Sequence, residues 1–415
     1  MQENQFFCAF IQKYTHAWEK RKLSDEVKIN GRIGFRGYTQ ADIVTKETGV
    51  LAYSPTNIVN NQLGRKHNDT YITHEKYEES PEIMVKNSDI LFVKTGSTLG
   101  KSALVQELNE QATVNPQIVI IRSKKLDEYF LATFLTSHAI LKRINSIKIG
   151  GAIPTMTETE LKKFPISAPK FDEQTKIGNF FQVLDNLLAL HQRKCNMLKN
   201  LKKGYLQKMF PKGNEKTPEI RFRNFNGEWE EHRLGDVYAF SKGRGLPLDN
   251  FTENEESPSI AYGHLYTKYS EVIDSVKLSS TDQGVFSKYN DVLFPGSSTV
   301  PNGTAQANAL MLDNIKLGGD IIIARELKNK VTHAPFTSYQ INFQRTKLFS
   351  ITVGSTITHM YGKDLAKLEF LFPEFKEQIK IGNLFQTLDQ QINQQETKLK
   401  HLKQLKQAYL KNMFV

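Results

Sequence analysis

The sequence predicts an α+β protein with an internal repeat: two globular regions, each followed by one long helix. Three observations predict it. Residues 171–210 (FDEQTKIGNFFQVLDNLLALHQRKCNMLKNLKKGYLQKMF) return at 375–414 (FKEQIKIGNLFQTLDQQINQQETKLKHLKQLKQAYLKNMF), at a constant offset of 204 and with 20 identities in 40 positions. Both copies repeat apolar residues in steps of four and three, the spacing of a helix with one packed face. Weaker echoes at similar offsets run through the segments before each copy, so the duplication takes in the whole chain.

Taken in order, residues 1–17 read as irregular, and the first legible unit opens at Trp18-Glu19-Lys20-Arg21, echoed by Trp229-Glu230-Glu231-His232. Ser88-Asp89-Ile90-Leu91-Phe92 is answered by Asn290-Asp291-Val292-Leu293-Phe294, each a short β-like run entering a Gly/Ser/Thr-rich turn. Apolar runs at 118–122, 321–324 and 349–353 read as strands, and 126–144 reads as helical. No regular strand–helix alternation runs through these regions, which excludes a doubly wound sheet. Ala152-Ile153-Pro154-Thr155-Met156 with Leu161 matches Thr356-Ile357-Thr358-His359-Met360 with Leu365. Pro165, Pro169 and Pro373 stop the chain before each long helix, with Asp172 as the expected cap of the first. The Pro-, Lys-, Asn- and Gly-rich residues 211–227 read as a link. The expected boundaries are therefore 1–170 and 211–374 for the globular regions, and 171–210 and 375–415 for the helices.

The helix seam is expected to run through Ile177, Phe181, Leu184, Leu188, Leu198 and Tyr205 in the first copy. In the second it passes through Ile381, Phe385, Leu388, Ile392, Leu402 and Tyr409. Polar residues interrupt both stripes at equivalent places, His191/Gln395 and Lys202/Lys406, as they would if the helices packed on each other or on equivalent partners. At 1.5 Å rise per residue each helix is about 57 Å long, more than one domain needs to close its core. Such length suits a spacer.

A hydrophobic content of 39% supports real cores, and no run approaches the length of a membrane span. Without a secretory leader pattern at the start, the expected compartment is the cytoplasm. Two cysteines, Cys8 and Cys195, support neither a disulfide framework nor a zinc site. A formal charge of +11 favours a polyanionic partner, because basic groups on a phosphate backbone release its counterions.

This layout resembles the specificity-subunit family of type I restriction-modification enzymes over essentially the full length. The twin EQxKIGNxFQxLD segments, the Trp-Glu openings, Ser241-Lys242-Gly243-Arg244-Gly245 and the turn at Gly96 carry the resemblance, and their arrangement is more specific than any one motif. It implies two globular target recognition domains separated by two long antiparallel, coiled-coil-like helices with pseudo-twofold symmetry. It further implies double-stranded DNA as ligand, a split target with an unread gap, and no catalysis in this chain. Two methyltransferase subunits and, where present, two restriction/translocase subunits are the implied partners. S-adenosylmethionine, ATP and Mg would then belong to those partners. A helical spacer of this length would set the module centres at most about 17 base pairs apart.

Candidate DNA contacts lie in three kinds of loop. Arg32, Arg36, Lys242 and Arg244 occupy Gly-rich stretches near the start of each globular region, where a guanidinium or ammonium can reach guanine O6 and N7 or a phosphate. Lys94, Ser97, Thr98 and Lys101 surround the first polar turn, and Ser297, Ser298, Thr299 and Asn302 the second. Thr155, Thr358 and His359 sit in the paired loops before the helices. For each, the plain alternative is a solvated surface residue.

Catalytic motifs are missing. Gly96-Ser97-Thr98-Leu99-Gly100-Lys101-Ser102 has one residue too few between its glycines for a phosphate-binding loop. Asn115-Pro116-Gln117-Ile118 is similar to the Asn-Pro-Pro-aromatic motif of amino-methyltransferases, but lacks the second proline and the stacking aromatic. The histidines show no metal-ligand spacing, and no carboxylate pair with a following lysine marks a nuclease. The competing reading, a helical protein–protein scaffold that does not act on DNA, would make the charge incidental.

Overall fold

Two 39-residue helices, α1 (Phe171–Met209) and α2 (Phe375–Met413), carry the repeated sequence nearly end to end. The computed structural model describes residues 18–34, 37–147, 154–254, 256–300, 302–328 and 332–414. These fall into two compact units, one of residues up to His191 together with those from Lys398 on, the other Gln192–Thr397. Each unit therefore owns the first part of one long helix and the last part of the other.

In the first unit a four-stranded antiparallel sheet runs in the order Val27–Asn30, Ile118–Ser123, Ile90–Val93, Ser102–Leu104. Side chains alternate across a strand, so an uninterrupted apolar run demands cover on both faces. Ile90, Phe92, Val119 and Ile121 face a core shared with the helix Glu128–Leu135, the start of α1 and the end of α2. Leu91, Val93, Ile118 and Ile120 face the other way, into a core with Leu51, Tyr53 and Tyr71 of a second sheet. Each buried side chain of this size contributes about 1.5–3 kcal/mol.

The second unit repeats the frame: Tyr238–Lys242, Ile321–Glu326, Asp291–Pro295, Asn308–Leu310, with Val272–Ile273 added at the edge. In both units a buried aspartate holds the frame through a half-buried arginine. Asp89 takes Arg122 Nε at 2.7 Å and Nη2 at 3.0 Å, and Asp291 takes Arg325 at 2.8 and 2.7 Å. The residue before each aspartate, Ser88 or Asn290, is left-handed, with φ of 70° and 72°.

The repeated EQxKIGN segment docks each long helix onto its unit. Gln174 donates to Pro169 O and accepts from the Asp127 amide, while Gln378 donates to Pro373 O and accepts from the His333 amide. Gly178 and Gly382 allow the close approach, since a Cβ at Gly178 would lie 2.5 Å from Asp127 Oδ1 and one at Gly382 would lie 2.4 Å from His333 Nδ1. Within each unit the two helix portions run antiparallel. Phe414 at the end of α2 packs on Trp18, Phe130, Phe134 and Phe181 in the first unit. Phe210, just past α1, packs on Trp229, Phe336, Phe343 and Phe385 in the second.

Of the expected seam residues, Ile177, Phe181, Leu184, Leu198, Ile381, Phe385, Leu388, Ile392 and Tyr409 are buried, whereas Leu188, Tyr205 and Leu402 are half-buried. Three local expectations are corrected. Residues 349–353 are not a strand: Thr346–Phe349 is a helical turn, and only Val353 makes a bridge, to His359. Residues 126–144 hold two helices rather than one, Glu128–Leu135 and His138–Ile147, divided where the Ser137 amide bonds Phe134 O. Asp172 lies inside the first turn of α1, which begins one residue earlier, and is not its cap. Cys195 is a buried free thiol, while Cys8 and the rest of 1–17 lie outside the described residues.

Candidate nucleic-acid interface

In the first unit the strand Ile90–Val93 delivers the chain into a tight turn. Four of its amides are spent on protein acceptors: Gly96 bonds Pro154 O at 2.9 Å, Leu99 bonds Gly96 O at 3.1 Å, Gly100 bonds Val93 O at 3.0 Å, and Lys101 bonds Thr98 O at 3.1 Å. A phosphate loop must keep such donors free, so this turn is not one. It instead presents side chains, with Ser97 and Lys101 exposed and Thr98 half-buried. Gly96 takes a φ of 106°, open to glycine alone without strain.

The turn gathers other predicted residues around it. Thr155 bridges Thr95, and the Lys94 amide bonds Gln117 O in the Asn115–Gln117 turn. Lys94 Nζ lies 3.0 Å from Glu158 Oε1. Arg32 behaves differently. Its Nη2 donates to Val114 O at 2.9 Å, and burial draws its guanidinium below the ordinary arginine value, so it braces the unit from within. Arg36 lies outside the described residues.

The second unit builds a comparable cluster from different side chains. The strand Asp291–Pro295 leads into Ser297–Ser298, which pairs antiparallel with Thr358–His359. Both serines are buried and committed: Ser297 Oγ donates to Asp320 Oδ2 at 3.0 Å, and Ser298 Oγ donates to Val300 O at 3.0 Å. Thr358 Oγ1 donates to Ser298 O and accepts from Thr304 Oγ1. His359 and Thr299 are exposed, as is Asn302, which turns the chain at a φ of 62°. Lys242 ends the strand Tyr238–Lys242 with Nζ 3.6 Å from Asp320 Oδ1. Exposed Arg244 is anchored through its amide to Leu317 O at 3.1 Å.

Each unit thus joins the turn after its central strand to the segment preceding its long helix. In the first, Gly96 N meets Pro154 O; in the second, Met360 N meets Gly296 O at 2.9 Å. Among the described residues no group of His, Cys, Asp and Glu has an arrangement that holds a metal ion, and no helix is long and apolar enough to cross a membrane.

The sequence profile described as "Type I restriction modification DNA specificity domain" matches residues 16–200 and again 226–404. The chain belongs to this type I DNA specificity family. It is a non-catalytic specificity subunit. A Methanocaldococcus jannaschii protein named as the MjaX type I specificity subunit is 22% identical over 421 residues, 99% of this chain and 95% of its own. The type I restriction enzyme MjaVIII specificity subunit of the same organism is 21% identical over 95% of this chain and 91% of its own. The crystal structure of the type I restriction-modification S subunit from M. genitalium shares the fold, with a TM-score of 0.66 at 16% identity over 97% of both chains.

Sequence reasoning about this type I specificity subunit missed Glu158, Gln117 and Asp320. Glu158 and Gln117 give no signal, because only the fold brings them to Lys94 and Gly96. Asp320 left a faint one in Gly318-Gly319-Asp320, a turn between two strands.

Proposed function

We propose that this specificity subunit reads a split target on double-stranded DNA, each unit taking one half and neither reading the gap. The observation that carries this reading is the polar loop cluster repeated at the same place in the frame of both units, with different side chains in each. Lys94, Ser97, Thr98, Lys101 and Thr155 are the proposed contacts of the first unit, and Lys242, Arg244, Thr299, Asn302 and His359 those of the second. Phosphate contacts fix the register of a protein on the duplex, and contacts to base edges specify sequence. Two unlike clusters on one repeated frame suit two unlike half-sites. The like sequences of α1 and α2 suit docking of like partners, namely two methyltransferase subunits, joined in a restriction enzyme by two restriction/translocase subunits. S-adenosylmethionine, ATP and Mg belong to those partners in this reading, and the complex works in the cytoplasm.

The test is co-expression with the methyltransferase encoded beside its gene, in a host lacking that modification, followed by single-molecule mapping of modified adenines. A two-part motif with a fixed gap, present only with this chain, is the expected result. A stable, active complex that yields no motif would sink the reading.

A further inference from the structure

Resting on that reading, we infer that Asp320 is a base-reading residue of the second unit, which with Lys242 recognises the major-groove edge of one G·C pair. The two side chains present an acceptor and a donor 3.6 Å apart, longer than a hydrogen bond and open to solvent, with exposures of 49% and 57%. A G·C pair displays the complement: the cytosine N4 amine donates, while guanine O6 and N7 accept.

Three observations support a reading role over a surface ion pair. First, Asp320 is held at a φ of 58° and its carbonyl accepts from the Gly296 amide, so the backbone that carries its side chain is fixed. Second, Ser297 Oγ fixes Oδ2, which aims Oδ1 at the Lys242 side, and among the described residues no donor lies within hydrogen-bond distance of Oδ1 there. Third, the neighbours form one reading face. Ser297 lies opposite His359, and His359 lies opposite Val353, and opposed residues of antiparallel strands project to the same side. His359 and Val353 are exposed, the latter at 57%, so an imidazole and an apolar contact for a thymine methyl continue the row from Asp320 and Lys242. A carboxylate on this face repels phosphates, and a base amine supplies the compensating contact.

The experiment uses the full chain in complex with its methyltransferase and maps modified adenines for Asp320→Ala, Asp320→Asn and Ser297→Ala. Asp320→Asn keeps an acceptor for Ser297 and tolerates a positive φ, so it guards against loss of folding in the alanine variant. Both Asp320 variants are expected to lose the preference for one G·C pair in a single half-site, on the order of tenfold to a hundredfold, with the other half-site unchanged. Asp320→Asn is further expected to move that position toward A·T, since asparagine pairs with adenine. Ser297→Ala frees Oδ2 and is expected to weaken the same preference in the same half-site, by a smaller factor than the Asp320 variants. An unchanged motif in both Asp320 variants overturns this inference while the specificity reading stands; equal losses in both half-sites overturn it and count against two independent readers. No two-part motif with the unaltered chain overturns both.

Discussion

Lys202 and Asp389 form a 2.7 Å ion pair between α1 and α2, and Lys406 and Asp185 repeat it in the other unit. The lysines are one of the two pairs of polar interruptions in the seam. Their surroundings differ, and the difference sets the cost of losing each. Asp389 also accepts from Tyr339 Oη at 2.6 Å, so it keeps a donor without Lys202. Among the described residues Asp185 has Lys406 as its ion-pair partner, and burial already pushes its carboxyl above the usual range. Lys406→Met is therefore expected to cost about 3 kcal/mol at neutral pH, and Lys202→Met about 1 kcal/mol. A raised folded-state carboxyl pKa means that stability falls as pH rises through that range, so the Lys406→Met deficit shrinks in acid. Denaturant unfolding of both variants at pH 7 and pH 4.5 decides this, and equal losses at both pH values would refute it.

His333 supplies an acid-sensitive point in the second unit. Burial beside Gly382 pushes its imidazole down to about 4, from an ordinary value near 6.5. The folded state holds it neutral while the unfolded state takes up the proton. Stability is thus fully present above about pH 6.5 and is lost as pH falls toward 4, by about 3 kcal/mol from this residue. Replacing it by glutamine should flatten that part of the pH profile of Tm; an unaltered profile would show that other groups govern acid unfolding.

The long helices and their repeat were legible because a seam must keep apolar residues at fixed spacing however far the rest of the chain diverges. Central strands were legible too, since 118–121 and 321–324 are covered on both faces and read as unbroken apolar runs. Residues 349–353 misled because Ile351 and Val353 favour strands, while the preceding turn is set by hydrogen bonds from Lys347, Leu348 and Phe349 to Gln344 and Arg345. The pairs Asp89–Arg122 and Asp291–Arg325 join residues 33 and 34 apart, with no periodicity to announce them. The candidate loops were found by their Gly and Ser content. Which side chains are available to a ligand was not, because Arg32, Ser297 and Ser298 are committed to contacts that depend on the closed fold.

Glycines of one helix are expected to answer oppositely to alanine. At Gly178 a Cβ would meet Asp127 Oδ1 at 2.5 Å and the Phe130 amide nitrogen at 3.0 Å, and that backbone cannot give way cheaply. The clash outweighs the gain in helix propensity, and Gly178→Ala should cost about 1–3 kcal/mol. A Cβ at Gly204 would meet nothing within 4 Å among the described residues, and its counterpart in α2 is Ala408. Gly204→Ala should stabilise by about 0.5–1 kcal/mol. Thermal melts of the two variants separate close packing from propensity, and matching shifts would contradict the docking role of Gly178.

Arg244 tests whether the two units read separately. Its exposed side chain rises from a loop pinned by its own amide to Leu317 O and by Gly319 N to Gly245 O at 2.8 Å, so truncation leaves the loop's backbone bonds in place. If the guanidinium reads guanine, Arg244→Ala should weaken one base position of one half-site by about 1–3 kcal/mol. If it holds a phosphate, all sequences should weaken alike, and the slope of log affinity against log salt should drop by about one. Binding of the assembled complex to duplexes altered in either half, at several salt concentrations, separates these outcomes. Base-specific losses in both half-sites would argue against two independent readers, because one side chain in one unit would then be governing the other.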